Sequence, residues 1–284
     1  MNLGLGLQLN RAPNVARSTP LSNVIPSCVY DLAITIDGSY DGSSQNWNNL
    51  ATPADGETQA TYNFFLGSSG TPGTDDPTFV GTANDPAAYF LYDGNDRNRI
   101  QTIGNTDFIN TWHRTDNTSG SFTFALTLFW PAAQTTGEFY MGGSSNANAD
   151  HGLRFVYDRA NEQFEITQTN GSSGVTTILG SSIVLTGDDW NLIVFTVTKT
   201  SGTGGTATVN LNGDARISTS LTTFGTTTTD ATDDLQFSGV SGSAEFPNVS
   251  RATQHSVYNT ALSEAQISTL ASLYALRDQR NYLT

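Results

Sequence analysis

The 284 residues carry 26 acidic against 12 basic side chains, and the formal net charge of −14 excludes a phosphate backbone as partner, because such binding relies on Lys and Arg displacing counterions. Charged residues make up only 13% of the chain, about half the usual share, so solvent-facing positions fall to Thr, Ser, Asn and Gly, a composition suited to strands and turns. The single cysteine, Cys28, excludes an intramolecular disulfide framework and a Cys-based zinc site. No run of about 18 apolar residues offers a membrane span, and the length fits one large β domain.

Residues 1–28 read as an extended N-terminal arm. Leu3, Leu5, Leu7 and Leu9 recur at a spacing of two, which puts all four on one face of an extended backbone. Pro13, Pro20 and Pro26 follow, and Arg11 and Arg17 are the only charged side chains before residue 31. Such a segment cannot fold alone, and its apolar face predicts a groove on its own body or on a neighbour, which makes these six leucines and arginines a candidate assembly arm. The opening lacks the basic start and long apolar core of a secretory signal, and none is expected.

From residue 29 to 284 the pattern predicts one sandwich of short strands punctuated by Gly, Asn, Asp and Pro. Within residues 121–129, Phe122, Phe124, Leu126 and Leu128 alternate with Thr123, Ala125 and Thr127. Residues 153–157 and 164–168 read as a hairpin, and 190–199 is apolar enough for a sheet centre. A strand over 206–211 ends at the Asn212-Gly213 turn signal, and later strands are predicted over 234–238, 244–249 and 254–258. One short C-terminal helix over about 263–277 closes the chain. Ser263 and Gln266 form a capping box, Ile267, Leu270, Ala271 and Tyr274 form one apolar stripe, and fraying is expected around Arg277 to Arg280.

The ending Ser256-Val257-Tyr258-Asn259-Thr260-Ala261-Leu262-Ser263 resembles the closing pattern of the concanavalin A-like jelly-roll superfamily, specifically its laminin G-like branch in bacterial and bacteriophage structural proteins. Asp189 to Phe195 with Val209 to Gly213 is similar to the family's tryptophan strand and Asn-Gly strand, and Trp47 to Leu50 and Ala88 to Asp96 match more loosely. The resemblance covers roughly residues 29–278 and implies an all-β jelly-roll sandwich whose first strand, near Val29 to Ile36, lies beside Gln254 to Tyr258. Trp190, Phe195 and Tyr258 are expected as core anchors.

The superfamily includes glucanases, whose Glu-x-Asp-x-x-Glu strand is absent here. Glu162 and Glu165 are expected on opposite faces of a strand, and His113, His151 and His255 stand without a recognisable catalytic motif. No enzyme activity and no obligatory cofactor are therefore expected. The resemblance implies a possible calcium ion, with Asp93, Asn95 and Asp96 as candidate ligands, and the pairs or triples Asp188 and Asp189, or Asp230, Asp233 and Asp234, as weaker sets. All three sets also suit plain turns. A glycan site would draw on Trp47, Trp112, His113 and Arg114. The leading expectation is a structural protein on the virion surface of a tailed phage, as a capsid decoration, head fibre or tail protein. Its arm would hold it to other virion proteins, in a homo-oligomer. The alternative is a free, extracellular bacterial carbohydrate-binding module in which the arm is only a linker.

Overall fold

The computed structural model describes residues 17–53, 56–101, 110, 112–118, 120–213, 217–221, 227–240 and 244–282. Leu3, Leu5, Leu7, Leu9 and Arg11 lie outside them. The fold is an all-β sandwich of two antiparallel sheets with one C-terminal helix. Sheet A has the order β14 (Ile217–Leu221), β13 (Gly205–Leu211), β12 (Asp189–Lys199), β7 (Gly120–Trp130), β16 (Arg251–Tyr258), β5 (Tyr89–Leu91) and β4 (Thr78–Val80), with β1 (Cys28–Ala33) also paired to β16. Sheet B runs β11 (Gly174–Gly180), β10 (Gln163–Asn170), β9 (His151–Asp158), β8 (Glu138–Gly143), β15 (Gln236–Phe237), β6 (Asn98–Ile100), β3 (Phe64–Leu66) and β2 (Asn46–Trp47).

The alternation read in the sequence sets the packing. Phe122, Phe124, Leu126 and Leu128 of β7 point into the core between the sheets, where Phe124 stacks on Phe155 of β9 at 5.1 Å between centroids. Ala125 points the other way, into a second apolar layer with Leu192, Val194 and Tyr258. The first and last strands pair as expected, from Cys28 opposite Tyr258 to Ala33 opposite Gln254. At the end of β13, Asn212 and Gly213 both adopt positive φ, 54° and 82°, the left-handed backbone that the Asn-Gly pair favours at a turn.

Helix α1 (Glu264–Asp278) covers that second layer. Ser263 and Gln266 form the expected capping box, and Ile267, Leu270, Ala271 and Tyr274 are buried against sheet A. The expected fraying at Arg277 does not occur. Arg277 is 1% exposed and donates to both carboxylate oxygens of Asp31, at 2.6 and 2.7 Å, and to the carbonyl of Thr19 at 2.8 Å. The backbone amide of Leu21 donates to the same Asp31 at 2.8 Å.

These contacts also move the predicted boundary at residue 28. Leu21 and Ile25 are buried in the α1 layer, and Arg17 donates to the carbonyls of Arg277, Thr35 and Asn84. Residues 17–27 are thus part of the body, because Pro20 and the 3-10 turn Leu21–Asn23 lay two apolar side chains under the helix. Two smaller expectations also change. Residues 244–249 form a loop rather than a strand, and Glu162 sits in the β9–β10 turn at φ 50° instead of on β10.

Candidate functional site

Three of the four candidate glycan-binding side chains belong to the core. Trp47 is fully buried, edge-on to Phe90 at 4.9 Å and to His255 at 5.2 Å. Trp112, 4% exposed, stacks on Phe122 at 4.0 Å. His113 is fully buried with Nε2 3.1 Å from the carbonyl oxygen of Thr229. None of the three offers a face to a sugar. Arg114 alone reaches the surface, where its guanidinium donates to Asp116 at 2.9 Å and to Asp230. Exposed pairs of this kind contribute little to stability.

The candidate calcium ligands close a turn. The Asp93 amide donates to Asp96 Oδ2 at 2.6 Å, and the Asn95 amide donates to Asp93 Oδ1 at 2.9 Å. Burial pushes the Asp96 carboxyl up to about 7, with the Asp93 amide acting in the opposite direction. Calcium takes six to eight oxygens around one point, whereas these carboxylates turn back onto their own backbone. Asp188 likewise accepts from the Ala132 amide at 3.0 Å, and Asp230 and Asp234 pair with Arg114 and Arg99. Among the described residues no group of three His, Cys, Asp or Glu side chains gathers as a metal site.

Among the described residues, two surfaces stand out. On the outer face of sheet A, α1 and residues 17–27 cover β1, β7, β12 and β16, and among the described residues the outer face of sheet B is only partly covered. There the register aligns Tyr140, Val156, Glu165 and Ile178 across β8 to β11. Val240 and Ala244 pack over Tyr140 and Val156, while Ile178 stays 47% exposed. Arg154 lies over the Tyr140 ring at 5.2 Å from its centroid, and burial raises the Glu165 carboxyl.

The second surface is a pocket of about 220 Å³ lined by Gly38, Asn48, Asn49, Gln59, Ala60 and Asn63. It lies between the β1–β2 connection and the 3-10 turn Gln59–Tyr62. Gly38 adopts φ 86°, a left-handed turn that a side chain would strain. Asn49, 2% exposed, is the pillar behind it. Its Oδ1 accepts from the amides of Asp31 and Ala51 at 2.8 and 2.9 Å, and its Nδ2 donates to the carbonyls of Val29, Ala51 and Gln59. Sequence reasoning missed this set, because Asn and Gln in a loop give the same signal whether they close turns or line a pocket.

No family model and none of the curated proteins matches the sequence. Among solved structures, the receptor-binding domain of the botulinum neurotoxin C/D mosaic serotype is similar to this chain at TM-score 0.56 and 12% identity, over 86% of this chain and 51% of that one. The binding domains of botulinum neurotoxin serotypes D and G give TM-scores of 0.54 and 0.51, each at 12% identity and 86% coverage of this chain. The chain spans about half the length of these structures. At this identity the shared property is the sandwich fold.

Proposed function

We propose that this chain is a non-enzymatic recognition module that binds glycans, a laminin G-like jelly roll displayed on the surface of a tailed-phage particle and attached to other virion proteins by residues 1–16. The carrying observation is the asymmetry of the sandwich. Sheet A carries the chain's own helix and residues 17–27 over β1, β7, β12 and β16, so among the described residues a ligand has the rest of the surface, chiefly sheet B and the neighbouring loops, to meet. Support for a recognition role comes from the solved structures of similar fold, which are named as binding or receptor-binding domains. Support for the virion setting comes from the leucine spacing before residue 10. A free lectin, with residues 1–16 as a linker, is the second reading, favoured by the same binding-domain neighbours.

The test pairs a glycan array and a polysaccharide-hydrolysis panel with electron microscopy of the full chain and a 1–16 deletion. The expected result is glycan binding by both proteins, no hydrolysis by either, and incorporation into particles only by the full chain. Hydrolysis would remove the non-enzymatic reading. Equal incorporation of the deletion would remove the anchoring role and leave the free lectin.

A further inference from the structure

The pocket beside Asn49 holds three carboxamides that are each fixed at one end. Gln59 donates its Nε2 to the Asn49 carbonyl at 2.6 Å, Asn63 accepts the Asn49 amide on its Oδ1 at 2.8 Å, and Asn48 directs its Nδ2 to the Gly38 carbonyl at 3.5 Å. Asn48 Oδ1, Gln59 Oε1 and Asn63 Nδ2 take no part in these bonds, which leaves two acceptors and one donor on side chains that line the pocket. Anchored amides lose little side-chain entropy on binding, which is what preorganisation contributes to affinity. A hydroxyl both donates and accepts, so adjacent hydroxyls match a mixed set of this kind better than a phosphate or carboxylate, which only accept.

Size and charge narrow the ligand further. The pocket is an open depression of about 220 Å³, about the volume of seven waters and enough for one sugar ring. No Lys or Arg lines the pocket, and the nearest ionisable groups along the chain are Asp37, beside Gly38, and Glu57, two residues before Gln59. The protein as a whole carries −14. An anionic sugar would meet like charge with no cation to offset it.

We infer that this pocket is a subsite for a single neutral sugar residue, read through adjacent hydroxyls by Asn48, Gln59 and Asn63, and that it discriminates against sialylated and sulfated sugars. The inference rests on the glycan-binding reading and adds the place and the ligand class. The test is isothermal titration of the full chain with neutral galactose-, glucose- and mannose-terminated oligosaccharides and with their sialylated and sulfated counterparts. The proteins compared are wild type, Asn48→Ala, Gln59→Ala and a plugged variant, Ala60→Trp, each checked for an unchanged melting temperature.

At least one neutral sugar should bind, each alanine variant should weaken it about tenfold, and the tryptophan plug should abolish it. Sugar binding that all three variants leave unchanged would overturn the pocket assignment while leaving the glycan-binding reading intact. Preference for a sialylated or sulfated partner would overturn the ligand class. Absence of binding to every sugar by the wild type would overturn both.

Discussion

His255 stands on β16 inside the core, stacked on Phe237 at 4.1 Å and edge-on to Trp47, with both ring nitrogens buried and without a hydrogen-bond partner. One of those nitrogens carries a proton in the neutral ring, and an unmade buried hydrogen bond costs about 1–3 kcal/mol. Burial alone lowers its pKa from 6.5 to about 3. The sign follows from linkage. The folded value lies below the unfolded one, so below about pH 6.5 the unfolded chain takes up a proton that the folded chain refuses. Stability from this residue is complete above that pH and falls as pH drops toward 3. Between pH 7 and pH 4.5 the loss is on the order of 2–3 kcal/mol. Urea denaturation of wild type and His255→Leu at both pH values should show a slope smaller by that amount in the variant; equal slopes would mean the imidazole finds a partner. Neither this histidine nor the burial of Trp47 and Trp112 could be read from sequence, because an aromatic beside Asn or His looks the same in a core and on a binding face. Only the strand phase decides, and the two-residue β2 is too short to reveal it.

At the scale of elements, the long strands and the helix were legible because each carries a full repeat of its own period. β7 and β12 span 11 residues each, and α1 shows both its cap and its stripe. Residues 17–27 carry no period, so their membership of the body stayed hidden: what places them is the pairing of Asp31 with Arg277, 246 positions apart. That placement separates two deletions. Removing residues 1–16 leaves Arg17, Leu21 and Ile25 in the chain and serves as the reference. Removing residues 1–27 takes away two buried apolar side chains, Leu21 and Ile25, worth about 1.5–3 kcal/mol each, and strips the Thr19 and Leu21 backbone partners from a buried ion pair. A loss of at least about 4 kcal/mol is expected. Urea titration of both truncations measures it, and a longer deletion as stable as the shorter would show that α1 holds without this segment.

For the molecule as a whole, composition pointed to the all-β class, and the last-strand motif pointed to the pairing of β1 with β16. It left the amide pocket unseen, since Gly38, Asn49 and Asn63 come from three separate loop segments that only the folded sheets bring together. Charge is the other whole-molecule property, and the arginines bear on it directly. Arg97, Arg99, Arg114, Arg159, Arg277 and Arg280 are each paired with a carboxylate inside the chain. The unpaired acids therefore dominate the outer field, and compaction works against their mutual repulsion. Salt acts on two opposing terms: it relieves this repulsion and it weakens the exposed pairs of Arg114 and Arg159. Exposed pairs contribute about 0–1 kcal/mol each, whereas the repulsion sums over a net charge of −14. Raising NaCl from 10 mM to 0.15 M shortens the screening length from about 30 to about 8 Å, so the melting temperature at pH 7 should rise by on the order of a few degrees. Differential scanning calorimetry across that range reads the sign directly, and a fall in melting temperature would assign the larger share to the arginine pairs.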